Sequence, residues 1–193
     1  MKKVALIVAG GKGERMNADI PKQFLLLNNL PILMHTIKQF SHFEEIVLVL
    51  PKSQFDYWNG LCKNNNFNQI HILVEGGETR FHSVKNGLDK IDNTSVVAIH
   101  DGVRPLVNIS TLTACFDAVL NQKAVIPVLN LKESLRKKTQ KGTEVVNRED
   151  YLLVQTPQCF QREVIIEAYN QEFNERFTDD ASLVEELGID VST

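Results

Sequence analysis

Short apolar runs recur along the chain at residues 4–9, 46–50, 70–74, 96–99 and 124–129. Each is rich in Val and Ile, and polar residues do not alternate with the apolar ones. A strand with one solvated face alternates, so these runs predict strands covered on both faces. Between them the apolar residues take helical spacing: Ile32, Leu33, Thr36, Ile37 and Phe40, then Val84, Leu88 and Ile91, then Leu112, Cys115, Phe116 and Val119. Strand and helix therefore alternate, which predicts an α/β fold with a mainly parallel sheet and helices on both of its faces.

The pattern changes at residues 130–150, which are polar and basic and hold a Lys141-Gly142 turn between strand-like stretches. This predicts a projecting β-arm outside the core. Helical spacing returns over 160–171, and a further helix opens at Thr178-Asp179-Asp180-Ala181-Ser182. Thr178 or Asp179 caps it, the acids suit its first turn, and Gly188 stops it. Residues 189–193 read as the beginning of a strand, and Asn64-Asn65-Asn66 as a loop.

Composition adds bounds. A length of 193 residues predicts one domain, 1–193, able to bury its own core. With 43% hydrophobic and 23% charged residues the chain reads as globular, and its net charge of −3 excludes a surface that grips nucleic acid throughout. Any anion site must be local. Cys62, Cys115 and Cys159 follow no ligand spacing and read as reduced thiols, and the apolar run after Lys2-Lys3 ends too soon for a signal peptide. No run approaches a membrane span. The expectation is a cytoplasmic protein with neither a membrane nor a nucleic-acid partner.

The first strand leads into Ala9-Gly10-Gly11-Lys12-Gly13-Glu14-Arg15-Met16 and then Pro21-Lys22-Gln23-Phe24. Glycines after the first strand of an α/β fold let backbone amides reach a phosphate, and nearby cations neutralise it. A Walker loop requires Ser or Thr where Gly13 stands, and a dinucleotide fingerprint requires a small residue where Met16 stands, so both are excluded. The five histidines have no metal-ligand spacing and read as core or surface residues, with His100 alone near the site. Lys132 and residues 136–138 read as solvated surface, and 178–180 as helix capping without catalytic role.

Six blocks in order together resemble the 2-C-methyl-D-erythritol 4-phosphate cytidylyltransferases, a family of nucleotidyltransferases. They are the Gly loop, Pro21-Lys22-Gln23-Phe24, Gly76-Gly77-Glu78-Thr79-Arg80-Phe81-His82-Ser83-Val84, His100-Asp101-Gly102-Val103-Arg104-Pro105, Gln155-Thr156-Pro157-Gln158 and Thr178-Asp179-Asp180-Ala181-Ser182. The resemblance implies a Rossmann-like nucleotidyltransferase sheet and transfer of CMP from CTP to 2-C-methyl-D-erythritol 4-phosphate, with release of pyrophosphate. It implies Arg15 and Lys22 as transition-state stabilisers, and Ala9, Gly10, Gly11 and Gly13 as the cradle of the triphosphate. It also implies Gly77, Glu78, Arg80 and Ser83 as cytosine and ribose contacts, Glu78 standing where Asp is frequent.

Asp101 resembles the acid at the Mg²⁺ and ribose side. Arg104, Thr156, Arg148 and Ser134 resemble acceptor-positioning residues, Ser134 standing where Thr is common. In the family the arm crosses to a second subunit, so the resemblance implies a homodimer in which Arg148 and Ser134 act in trans. Members of the family continue beyond the position of Thr193 with a strand, a Lys near the acceptor and a final helix, which implies that these are missing here. Two further readings stay open: a ribitol 5-phosphate cytidylyltransferase, and a non-catalytic nucleotide-binding or regulatory protein on the same fold.

Overall fold

The structure is a computed structural model that describes residues 1–10, 20–92 and 95–193. In chain order it forms β1 (Lys2–Val8), a 3-10 turn at Lys22–Phe24, β2 (Leu26–Leu27), β3 (Leu30–Pro31), α1 (Ile32–Gln39), β4 (Glu45–Leu50) and α2 (Phe55–Asn64). There follow β5 (Ile72–Glu75), α3 (Arg80–Leu88), β6 (Ser95–Asp101), α4 (Ile109–Val119), β7 (Ala124–Val125), β8 (Val128–Asn130), β9 (Arg136–Thr139) and β10 (Gly142–Val145). The chain continues through β11 (Leu152–Val154), β12 (Gln158–Gln161), α5 (Arg162–Tyr169) and α6 (Asp180–Glu186).

The main sheet has the order β5-β4-β1-β6-β12-β7. The four strands β5, β4, β1 and β6 run parallel, and β12 lies antiparallel between β6 and β7. Successive residues of the central strands enter two different cores. Ala5 and Ile7 of β1, Ile46, Leu48 and Leu50 of β4, and Val96 and Ala98 of β6 face α1, α2 and α4. Val4, Leu6 and Val8, Val47 and Val49, and Val97 and Ile99 face α3, α5 and α6. Side chains alternate across a strand, so a strand apolar on both faces requires cover on both, as its unbroken apolar run anticipates.

Four local readings need correction. The run 124–129 divides into β7 and β8, which join different sheets; Pro127 between them has no N–H for a ladder. The helix expected from residue 160 starts at Arg162, because Phe160 belongs to β12 and faces Val97 in the ladder. The strand expected from Ile70 starts at Ile72, and Ile70 is 87% exposed. Helix α2 escaped the spacing argument because Trp58 is its only buried residue. Within 130–150 the chain forms the β9–β10 hairpin, all eight strand residues being exposed, with Gly142 at φ +133°, while Asn130 belongs to β8. Asp179, rather than Thr178, caps α6 and shares a capping box with Ser182.

Candidate active site at the carboxyl edge of the parallel strands

The four parallel strands end together on one edge. The Ala9 amide donates to the Val49 carbonyl at 2.9 Å, the Gly76 amide to Leu50 at 2.8 Å and the Gly102 amide to Val8 at 2.8 Å. Loops leaving such an edge are where open α/β sheets bind ligands. Ala9 and Gly10 follow β1 there, residues 76–79 lead from β5 into α3, and Asp101 closes β6 opposite Val8. Gly11, Gly13 and Arg15 lie outside the described residues.

Lys22 is the exposed member of its 3-10 turn, whose Gln23 and Phe24 are buried. Gln23 explains the turn's position. Its side-chain amide donates to the Ala9 carbonyl at 2.9 Å and to Gln54 Oε1 at 2.8 Å, while Phe24 packs edge-on against Tyr57. The turn is thus fastened to the end of β1 and leaves its cation exposed. The sequence placed Gln23 in one of the six blocks but gave it no role, since a Gln is ordinarily a surface residue.

The 76–79 loop closes on Ser83. The Gly77 amide donates to Ser83 Oγ at 3.0 Å, and a Cβ at Gly77 would lie 2.4 Å from that of His82. The buried Ser83 hydroxyl therefore shapes the loop from within, while Glu78 is exposed. Thr79 Oγ1 caps α3 by accepting from the His82 amide.

Asp101 lies between two arginines. Arg104 Nε donates to its Oδ2 at 2.8 Å, and Arg80 Nε stands 3.8 Å from its Oδ1. Arg104 also donates to Gln155 Oε1 at 2.8 Å. Arg80 commits its fork elsewhere, donating from Nη1 and Nη2 to the two carboxylate oxygens of Asp180 at 2.8 and 2.6 Å. Asp180 is fully buried and also accepts from the Tyr169 hydroxyl at 2.5 Å. The reading of 178–180 as capping is therefore corrected at Asp180: the cap is Asp179, and Asp180 holds Arg80.

His100 is wholly buried behind Asp101. A carbonyl only accepts, so the contact of His100 Nε2 with Arg104 O at 3.0 Å makes Nε2 the protonated nitrogen. Nδ1 then accepts from the Thr156 hydroxyl at 3.0 Å. Burial lowers the His100 pKa to about 4, so the ring is neutral and shapes the turn without adding charge. Thr156 faces this ring and the Asp101 amide, at 3.4 Å.

The arm residues stand apart. Arg148 donates to the Lys132 carbonyl at 2.6 Å, Ser134 is exposed, and among the described residues no hydrogen bond joins either to the Asp101 cluster. Among those residues there is also no group of three metal-ligating side chains. Asp101 offers a carboxylate at the edge, a donor that suits Mg²⁺, which commonly takes one or two carboxylates and leaves the rest to phosphate oxygens and water.

The family model described as IspD, 2-C-methyl-D-erythritol 4-phosphate cytidylyltransferase, matches residues 3–193. A 2-C-methyl-D-erythritol 4-phosphate cytidylyltransferase of Bacteroides fragilis is 50% identical over 194 residues, covering 99% of this chain and 89% of its own. One of Porphyromonas gingivalis is 51% identical over 185 residues, covering 95% and 83%. The crystal structure of the enzyme so named from Thermus thermophilus superposes with a TM-score of 0.80 at 29% identity, over 100% of this chain and 87% of that one. That of 4-diphosphocytidyl-2C-methyl-D-erythritol synthase from Anaerococcus prevotii gives 0.83 at 28%, over 99% and 85%.

Proposed function

The chain belongs to the 2-C-methyl-D-erythritol 4-phosphate cytidylyltransferase family of isoprenoid biosynthesis, and on that premise we propose how its own residues transfer CMP from CTP to that alcohol phosphate. An oxygen of the acceptor phosphate attacks the α-phosphorus of CTP, and the bond to the β-phosphate oxygen breaks with release of pyrophosphate. The product is 4-diphosphocytidyl-2-C-methyl-D-erythritol. A phosphate monoester has a second pKa of ~6, so the attacking oxygen is already anionic and no side chain need remove a proton. The neutral, buried His100 fits a site without a general base.

The difficulty of the step is charge accumulating around the α-phosphate, which fixed cations offset. Lys22, held by the Gln23 anchor, and Arg15 fill that role. Ala9, Gly10, Gly11 and Gly13 cradle the triphosphate, and the 76–83 loop receives cytosine and ribose through Gly77, Glu78, Arg80 and Ser83. Asp101 would hold Mg²⁺, which when bound neutralises triphosphate oxygens. The observation supporting this reading most directly is the convergence of Lys22, Ala9-Gly10, the Gly77 loop and Asp101 on one edge of four parallel strands.

The acceptor side is completed by a second copy of the chain, in which Arg148 and Ser134 reach across while Arg104 and Thr156 serve in cis. Exposed Leu129, Leu152, Leu153 and Val154 on the paired β8 and β11, at the base of the arm, support a covered face there. A cytoplasmic location accords with three unpaired cysteines.

Purified protein supplied with CTP, magnesium and 2-C-methyl-D-erythritol 4-phosphate is expected to release pyrophosphate, and to do so faster than with ribitol 5-phosphate. Absence of pyrophosphate from folded protein overturns the activity, and a preference for ribitol 5-phosphate overturns the acceptor.

A further inference from the structure

Four side chains behind the nucleotide edge form one continuous chain: Tyr169 to Asp180, Asp180 to Arg80, and Arg80 to Asp101. They come from α5, α6, the first residue of α3 and the last residue of β6. An ion pair serving only to pin α6 to α3 need not reach a strand end. This one does, because the Arg80 guanidinium lies between two carboxylates, one fully buried and one 29% exposed at the site.

The two carboxylates compete for the same fork. Arg80 can make a bidentate pair with one of them at a time, since its planar donors match a single carboxylate. Here the buried Asp180 holds the fork at 2.6 and 2.8 Å, leaving only Nε facing Asp101 at 3.8 Å. Tyr169 adds a third donor to Asp180, fixing the carboxylate from behind. Burial, and then the Asp180 charge, push the Tyr169 pKa well above its ordinary value, so the hydroxyl remains a donor. Asp101 keeps one oxygen under Arg104 and the other only loosely faced.

We propose that Asp180, backed by Tyr169, is a positioning residue for nucleotide binding: it holds the Arg80 fork away from Asp101 and so leaves that carboxylate available to the nucleotide. Without Asp180 the guanidinium turns its fork onto Asp101 and blocks it. The inference rests on the assignment of Asp101 to the nucleotide side of the site. It concerns a residue that the sequence pattern accounted for by helix capping alone.

The test is calorimetric titration of the full chain with CTP in the presence of magnesium, alongside steady-state kinetics. Asp180→Asn keeps the shape and removes the charge, and should raise the CTP dissociation constant about tenfold or more, the loss falling on KM rather than kcat. In an Arg80→Met background the same substitution should change CTP binding less than twofold, because the fork it restrains is gone. A purely structural role lowers the unfolding midpoint and leaves the CTP dissociation constant of the folded protein unchanged. Equal losses in both backgrounds, or parent-like binding by folded Asp180→Asn, overturn the proposal.

If Asp180→Asn fails to fold, Tyr169→Phe decides. It removes one hydrogen bond while retaining the ring, and should weaken CTP binding about threefold; unchanged binding overturns the proposal. Pyrophosphate release by the parent protein separates the two claims. An inactive parent counts against the proposed activity, whereas an active parent with undisturbed CTP binding in the variants counts only against the role of Asp180.

Discussion

Lys22 and its neighbours divide the work of a four-residue motif. Gln23 and Phe24 are buried and fix the turn, while Lys22 is exposed at the carboxyl edge. Replacing Lys22 by Ala should therefore leave the fold intact, and Lys22→Ala and Arg15→Ala should each reduce turnover by a factor on the order of 10² or more, as lost transition-state donors do. Turnover preserved in either variant would contradict its assignment. His71, remote from this chemistry, shows how burial alone sets a charge state. Its Nε2 accepts from the Trp58 indole at 2.9 Å and its Nδ1 donates to the Gln69 carbonyl at 2.8 Å.

Burial lowers the His71 pKa below its ordinary 6.5, outweighing the Gln69 bond. The unfolded chain then takes up a proton near pH 6.5 that the folded chain refuses. The stability from this group is present above that pH and is lost as the pH falls below it. Urea unfolding followed by the fluorescence of Trp58, the only tryptophan, should show a lower midpoint at about pH 5 than at about pH 7. His71→Gln should narrow that gap; a gap of undiminished size argues against the account.

At the scale of elements, the loop between β5 and α3 is held by close approach. A Cβ on Gly77 would lie 2.4 Å from His82 Cβ and 3.0 Å from its carbonyl carbon, so the loop or the first turn of α3 must shift. Gly77→Ala should raise the KM for CTP by about tenfold, corresponding to ~1.4 kcal/mol of misplaced contacts, while the protein stays folded. Gly60 is the comparison: it sits in α2 with nothing within 4 Å of an added Cβ. Gly60→Ala should leave the kinetics alone and stabilise the helix by ~0.5–1 kcal/mol. The start of α6 was legible to within one residue because its cap is chemical, Asp179 with Ser182. The start of α5 was not, because Phe160 satisfies a helical spacing and a buried strand equally well.

For the molecule as a whole, the feature that bears on assembly is the arm. The β9–β10 hairpin is exposed throughout, and apolar residues of β8 and β11 at its base are uncovered. If Arg148 serves the site of a second copy, an equal mixture of Arg148→Ala and Arg15→Ala chains should recover activity that neither has alone. Random pairing makes half the dimers mixed, and one of the two sites in each is intact, so recovery should approach about one quarter of parent activity after subunit exchange. Absence of recovery, with exchange verified by mass, places Arg148 in cis or outside the site.

The division between what sequence and tertiary structure decide follows from the range of the forces involved. Apolar runs without alternation, a Gly loop after the first strand and the six ordered blocks were enough to identify an α/β nucleotidyltransferase sheet and the family it belongs to. Those signals are local in the chain. The break at Pro127, the β12 strand, the Gln23 anchor and above all the pairing of Arg80 with Asp180 depend on residues far apart in sequence; that pair is separated by 100 positions. Spacing says nothing about such a pair. Only the fold that brings Asp180 of α6 to Arg80 of α3 buries that carboxylate and sets two carboxylates against one guanidinium, whose side chain stays 36% exposed.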